Sequence, residues 1–254
     1  MIKPIIKTAI LIVLFILGCE SNVYSGALEQ CSEYASIGVP STDNLLCKKG
    51  FLLGYNKINK TPDWVIEHLT KSKVTSTLVK RTNNFEPDPD ISVTERDNNE
   101  DYTKSGYDRG HMAPVDDMTW DKDAMNQCFY LSNMVPQIPN MNRGIWKVLE
   151  TSIRKSVKTR GDLFIITGPI YADQEKKTIG KDKIAIPTHL YKIIYDESKQ
   201  ESEAFIIPNK KLDPKLLSTF IVTISDIEKQ TGLKFITSIN KDEFKNIKTL
   251  KLWK

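Results

Sequence analysis

The chain has 254 residues and a mass of 29.0 kDa, with 40% hydrophobic and 27% charged residues. That is enough apolar material for a proper core, which excludes a disordered or fibrous chain. The formal net charge is +4, and Lys3 and Lys7 stand in an apolar leader, so the remainder is only mildly basic. Such a balance permits an anionic partner without requiring one, and it excludes a uniformly cationic surface.

The opening MIKPIIKTAILIVLFILGC sets two lysines before an uninterrupted apolar run from Ala9 to Leu17. The run is short for a bilayer span but fits a signal-peptide core, so residues 1–25 read as a signal peptide and 27–254 as a single domain. Two processing routes stay open. Ile16-Leu17-Gly18-Cys19 resembles a lipobox, in which the signal ends before Cys19 and a lipid on that cysteine anchors the protein. Val23-Tyr24-Ser25 offers ordinary cleavage before Gly26. Both routes, and an uncut anchor, place the domain outside the cytoplasm, in the periplasm or the medium. In an oxidising compartment Cys31 and Cys47 would close a loop near the mature N-terminus, while Cys128, inside CFYLSN, reads as a buried free thiol. No CxxC pair or close histidine pair supports zinc.

Segments 50–57 (GFLLGYNK) and 63–69 (DWVIEHL) read as strands, the second entered through Thr61-Pro62. Residues 81–104, with Pro87, Pro89 and many Asn and Asp, read as a long loop, and its acidic part from Glu86 to Asp101 as solvated. DRGH at 108–111 reads as extended, and CFYLSN after it as a strand. Pro136 and Pro139 hold off helix until Asn142, after which apolar residues at 145, 146, 149, 153 and 157 give helical spacing as far as Gly161. LFIITGPIY and the segments near 184–195 and 203–207 are β-rich, and DPKLLSTFIVTISDIEKQTGL reads as a second helix with a glycine stop. No repeat and no Pro/Gly/Ser linker divides the chain. These elements predict an α+β fold, with a mixed, mostly antiparallel sheet and packed helices.

The chain has three histidines, His68, His111 and His189, and one lies inside Asp108-Arg109-Gly110-His111. In an extended stretch Arg109 and His111 emerge on one face, with Gly110 adding no bulk between them and Pro114 ending the extension. A histidine near neutrality takes a proton from water, and an arginine beside it holds a phosphate or carboxylate. Together they point to hydrolysis of an anionic ester; a structural His-Arg pair is the competing reading. On the helix, Asn142 and Glu150 diverge by roughly 80° at about 100° per residue, so both can face one cleft. An amide oxygen plus waters suits Mg²⁺, with Glu150 holding one of those waters. The alternative makes Asn142 an N-cap and Glu150 a surface partner of Arg154.

TPDWVIEHLT at 61–70, SGYDRGHMAP at 105–114, FYLSNMVPQ at 129–137, NRGIWKVLE at 142–150 and TGPIY at 167–171 together resemble the DNA/RNA non-specific endonucleases, whose site is a ββα-metal, or His-metal, finger. The resemblance implies that His111 is the general base and that Asn142 is the one direct protein ligand of a Mg²⁺ ion, with Mn²⁺ as its substitute. It places Arg109 beside the phosphate, Glu150 as the group that positions water on the metal, and Asn133 as a support of the site. Arg154 falls where the family has a helix arginine facing substrate. Asp108, grouped with the substrate contacts, orients the DRGH segment, and Arg81 is the candidate upstream phosphate contact, with Lys80 or Arg96 as alternatives. The function implied is an exported Mg-dependent endonuclease that cuts DNA and RNA with weak sequence preference and leaves 5′-phosphate ends. Its partners are nucleic acids, the membrane entering only through a lipid at Cys19; a homodimer stays open. Two rivals remain: an exported phosphodiesterase acting on another anionic substrate, and a non-catalytic nucleic-acid-binding surface lipoprotein.

Overall fold

Apolar side chains alternate along β3 (Thr61–Leu69): Val65 and Leu69 enter one buried cluster, Trp64 and Ile66 another. The two sets lie on opposite sides of the strand because successive side chains in a strand point to opposite faces. Both are buried, so the sheet that holds β3 is covered on both sides. The computed structural model describes residues 25–171, 176–240, 243–244, 248–249 and 251. Cys19 and the leader read over 1–25, apart from Ser25, lie outside those residues.

The main sheet runs in the order β1 (Leu45–Lys48), β2 (Phe51–Asn56), β3, β6 (Leu163–Ile170), β9 (His189–Asp196), β10 (Glu201–Pro208) and β11 (Ile221–Val222), and β12 (Lys248–Thr249) joins β10. Every neighbouring pair on that path is antiparallel, and β12 alone pairs in parallel. The predicted α+β class with a mostly antiparallel sheet is what is observed. Residues of β6 are buried throughout, which accounts for the continuous apolar run LFIITGPI. Two small ribbons complete the β structure, β4 (Asp108–His111) with β5 (Met134–Gln137) and β7 (Thr178–Ile179) with β8 (Ile184–Ala185).

Among the helices are α1 (Ser32–Ala35), α2 (Asn99–Tyr102), α3 (Lys122–Gln127), α4 (Lys147–Arg160) and α5 (Ile224–Thr231). One face of the sheet packs against α4 through Leu149, Ile153 and Val157 and against the segments around β4 and β5. The opposite face is covered by Tyr34 of α1, Ile224 and Ile227 of α5, and the chain around Phe235. Cys31 and Cys47 form a disulfide that ties the segment before α1 to β1, and Cys128 is a buried free thiol.

Several expectations need correction. CFYLSN is not a strand. Asp121 caps α3 by accepting from the backbone of Asp123 and Ala124, and the helix runs up to Cys128, whose amide donates to the Ala124 carbonyl. Beyond it, residues 129–131 pair with Glu86 as an isolated bridge, and the strand begins only at Met134. Pro136 sits inside β5, and Pro139 does not delay the helix but starts it as the first residue of the turn Pro139–Met141, where its missing N–H costs nothing. Asn142 is therefore inside helical structure and is not an N-cap. The second predicted helix is broken into a 3₁₀ segment Pro214–Phe220, the short strand β11, and α5, which Thr223 caps and Gly232 ends in the left-handed conformation at φ 74°. The long loop over 81–104 holds α2, built as a capping box between Asn98 and Asp101.

Candidate active site

Four backbone pairs hold β4 against β5: Asp108 with Gln137, Arg109 with Pro136, Gly110 with Val135 and His111 with Met134. A side chain at Gly110 would collide with the Gln137 side chain, so glycine is what allows this close approach. At the end of β4, the buried Asn133 accepts from the Ala113 amide at 2.9 Å and donates to the Ala113 and Cys128 carbonyls at 3.0 and 2.9 Å. Asn133 thus clamps the chain just after His111 to the end of α3. Its neighbour Ser132 donates to Asp88 at 2.5 Å, and Asp88 in turn accepts from the buried Lys48 at 2.8 Å. This ties the loop over the site to β1.

Helix α4 is entered through a wide π turn, Asn142–Trp146, in which Gly144 leaves helical geometry (φ −105°, ψ −110°). Such turns change the angular phase of a helix and recur at functional sites. Here the turn brings Asn142, Lys147 and Glu150 to one cleft of about 580 Å³, which Arg81, Phe85, Arg109 and His111 also line. The predicted convergence of Asn142 and Glu150 is present, although the ideal 100° step used to predict it does not describe the turn between them.

His111 lies in an aromatic box. Its ring meets Phe129 edge-on at 5.1 Å and Phe85 at 5.6 Å, and its buried Nε2 has no hydrogen-bond partner. Burial, with the Arg81 guanidinium nearby, pushes its pKa down to about 3, so the ring stays neutral at ordinary pH. Arg109 is sandwiched between Phe85 at 5.1 Å and Tyr102 at 5.3 Å, and donates to the Asn99 carbonyl of α2 at 2.8 Å. Both Arg109 and His111 therefore lean on Phe85, which lies in the long loop expected over 81–104. Arg81 is exposed, stacks over Phe129 at 5.6 Å and reaches the cleft. Arg96, by contrast, donates to the Asp88 carbonyl, and neither it nor Lys80 lines the cleft.

Asp108 accepts from Asn142 Nδ2 at 2.9 Å and from Arg143 at 2.6 and 2.9 Å. Its carboxylate is thus engaged with the helix entrance and is poorly suited to meet a phosphate directly; it fixes the Asn142 amide. With Nδ2 occupied, Oδ1 is the donor atom that Asn142 can offer a cation. Glu150 is shielded enough that its pKa rises to about 7, against the opposing pull of Lys192 and Arg154. Arg154 differs from its predicted place. It spends its guanidinium on Asp117 at 3.1 Å and Asp116 at 3.3 Å, with its side chain 13% exposed, and does not line the cleft. It is an internal counterion, and the alternative pairing with Glu150 is not formed as a salt bridge.

Among the described residues no group of three or more His, Cys, Asp or Glu side chains could cage a metal. The oxygen donors at the cleft are the Asn142 amide and the carboxylates of Glu150, Asp108 and Asp116, of which Asp108 is held by Asn142 and Arg143 and Asp116 by Arg154. That set fits an ion that keeps most of its hydration shell, as Mg²⁺ does, and does not fit zinc.

Two antiparallel strands and a following helix, with a neutral histidine on the first strand and an amide oxygen at the helix entrance, make up a ββα arrangement around the cleft. The family model described as DNA/RNA non-specific endonuclease matches residues 32–242. The chain belongs to that family. Nuclease EXOG, mitochondrial, of Danio rerio is 36% identical over 214 residues, covering 78% of this chain and 62% of that protein. Endonuclease G, mitochondrial, of Homo sapiens is 30% identical over 220 residues, covering 82% and 74%. Nuclease C1 of Cunninghamella echinulata var. echinulata is 36% identical over 219 residues, covering 80% and 87%. The chain thus spans about 60% of the length of the EXOG relatives it matches. A chain in the crystal structure of the EndoG/EndoGI complex, which addresses the mechanism of EndoG inhibition, aligns with a TM-score of 0.80 at 33% identity, covering 84% of this chain and 94% of that one.

Proposed function

We propose that this protein is an exported, divalent-metal-dependent endonuclease that hydrolyses phosphodiester bonds of DNA and RNA. The observation that carries the reading is the convergence of a neutral, unpartnered imidazole (His111), a guanidinium (Arg109) and a free amide oxygen (Asn142) in one cleft. A water held in the cleft against His111 gives up a proton to the ring as it attacks phosphorus; the neutral ring is ready to take that proton. Arg109 and Arg81 bind the phosphate and spread its charge. Asn133 and the aromatic box hold the imidazole, and Asp108 holds the Asn142 amide, so that the groups keep their relative positions through the reaction. Mg²⁺ held by Asn142, with Glu150 orienting water beside it, would supply charge neutralisation at the phosphate and at the leaving oxygen. The leaving 3′ oxygen takes its proton from a second water in the cleft, so the products are a 3′ hydroxyl and a 5′ phosphate.

Phosphate and charge, not base edges, are what this cleft reads, so DNA and RNA are cut with weak sequence preference. Residues 1–25 direct export, and 27–254 act as one nuclease domain. The test is cleavage of supercoiled plasmid and of an unstructured RNA by purified residues 27–254 in Mg²⁺, with and without chelator. Cutting of both substrates that stops with chelator is expected, and no cutting of either sinks the reading.

A further inference from the structure

Helix α4 sorts its side chains into three strips. Leu149, Ile153 and Val157 pack on the sheet, while Glu150 lines the cleft and Arg154 reaches back to Asp116 and Asp117. The third strip faces solvent: Lys147, Lys155 and Lys158 are exposed, with the half-buried Thr151 between them. At about 100° per residue these four positions fall within roughly 80° of one another, and at about 1.5 Å rise per residue the strip is about 16 Å long. It begins at the cleft, because Lys147 is itself one of the residues that line it.

Two features set these lysines apart from the other cations of the helix. Among the described residues, the salt bridges made by α4 and its entrance fall on Arg143, Arg154 and Arg160, and none involves Lys147, Lys155 or Lys158. The strip also carries no carboxylate: Glu150 is the one acidic residue between Lys147 and Arg160, and it lines the cleft. A helix face that meets only water gains from opposite charges three or four residues apart, whereas Lys155 and Lys158 repel one another at that spacing. With 32 acidic residues against 36 basic ones in the chain, composition alone does not place an all-cationic strip there. What suits such a strip is a row of negative charges that starts in the cleft. Phosphates follow one another at about 3.4 Å of axis along one strand of a duplex, so about 16 Å of helix spans about five nucleotides.

We infer that the lysine strip of α4 is the track for one strand of the nucleic acid outside the cleft, its ammoniums meeting phosphates that flank the scissile one. The inference rests on the endonuclease reading of the cleft. An ammonium is a point charge on a flexible stem and meets phosphate without reading bases, so the track adds affinity for length and none for sequence.

The test uses the full chain and two double variants: Lys155→Gln with Lys158→Gln on the track, and Lys229→Gln with Lys234→Gln at α5, on the opposite face of the sheet. Glutamine is close to lysine in helix propensity, so the helix survives either change. Binding to a fluorescent DNA duplex several turns long is followed in chelator over a range of salt, and kcat and KM are measured on plasmid DNA in Mg²⁺. Each lost phosphate contact makes the slope of log K against log salt shallower by about 0.9, so the track variant should lose about 1.8 of the parental slope. Its KM at about 0.1 M salt should rise about tenfold or more, with kcat within about twofold of the parent. Adding Lys147→Gln should take about 0.9 more from the slope. The α5 variant, with the same loss of charge, should keep the parental slope and KM. A parental slope in the track variant overturns the inference, as does an equal loss in the α5 variant or a parent that binds no duplex. A parent that cuts no nucleic acid defeats the endonuclease reading instead; the slope change on binding then still supports the track.

Discussion

Toward α1 and α5, the main sheet presents Leu52, Trp64, Ile66, Phe164, Ile166 and Ile193, and the middle of the sheet is apolar from edge to edge. Toward α4 the same strands present Glu67, Thr167 and Lys192 among their apolar residues, and the cleft lies beyond them on that side. Both faces obey one alternation, so the backbone rules that build them are the same. Where polar side chains interrupt the pattern at a desolvation cost, Lys192 lies 5.0 Å from the centre of the Trp146 ring. The apolar face is expected to carry stability, and the interrupted face chemistry.

Substitutions on the two faces should therefore move different observables. The largest effect is expected from His111→Ala, which removes the base and no large apolar volume: kcat should fall about 10²- to 10⁴-fold with a near-parental unfolding midpoint. Parental turnover in that variant would return the histidine to a structural role. Next comes Asn142→Ala. Without the amide oxygen the Mg²⁺ concentration for half-maximal activity should rise about tenfold or more, and an unchanged titration would move the ligand elsewhere.

On the opposite face, Ile227→Ala deletes a fully buried side chain. It should cost about 2–5 kcal/mol in urea unfolding while leaving kcat per folded molecule unchanged; a matching loss of turnover would mean that the faces are not separable. The smallest effect is in pH dependence. His111 takes a proton near 6.5 in the unfolded chain and only near 3 in the folded one. The unfolded state therefore gains protons first as pH drops below 6.5, and the stability tied to the neutral ring is lost between 6.5 and 3. Relative to His111→Phe, the parent should lose up to about 1 kcal/mol per pH unit in that window, the half-open ring keeping it below the full value. Parallel stability curves would contradict the burial of the imidazole.

Much of this contrast is legible in the sequence. Period-two alternation in GFLLGYNK and DWVIEHL locates the strands, and DRGH places arginine and histidine together because an extended backbone leaves no other choice. What failed did so for identifiable reasons. CFYLSN has strand composition, but the Asp121 cap and the Asn133 clamp are side-chain bonds that override propensity. The segment from Asp213 to Gly232 has nearly continuous helical spacing, yet Ile221 and Val222 pair with Phe205 and Ala204 and break it. The resemblance points Arg154 at substrate, but its guanidinium is taken by Asp116 and Asp117, which come from a distant turn that the helix pattern does not reveal. Phe85 and Lys192 left no local signal. An aromatic in an acidic loop and a lysine in a strand become informative only once the fold sets one against His111 and the other under Trp146.

The account stands most directly on one comparison: nicking of supercoiled plasmid by purified residues 27–254 and by the same chain with His111→Ala, in Mg²⁺ and in chelator. Rapid cutting by the parent in Mg²⁺ alone, with only residual cutting by the folded variant, is the predicted result. Equal cutting by both proteins, or cutting by the parent that persists in chelator, would contradict it.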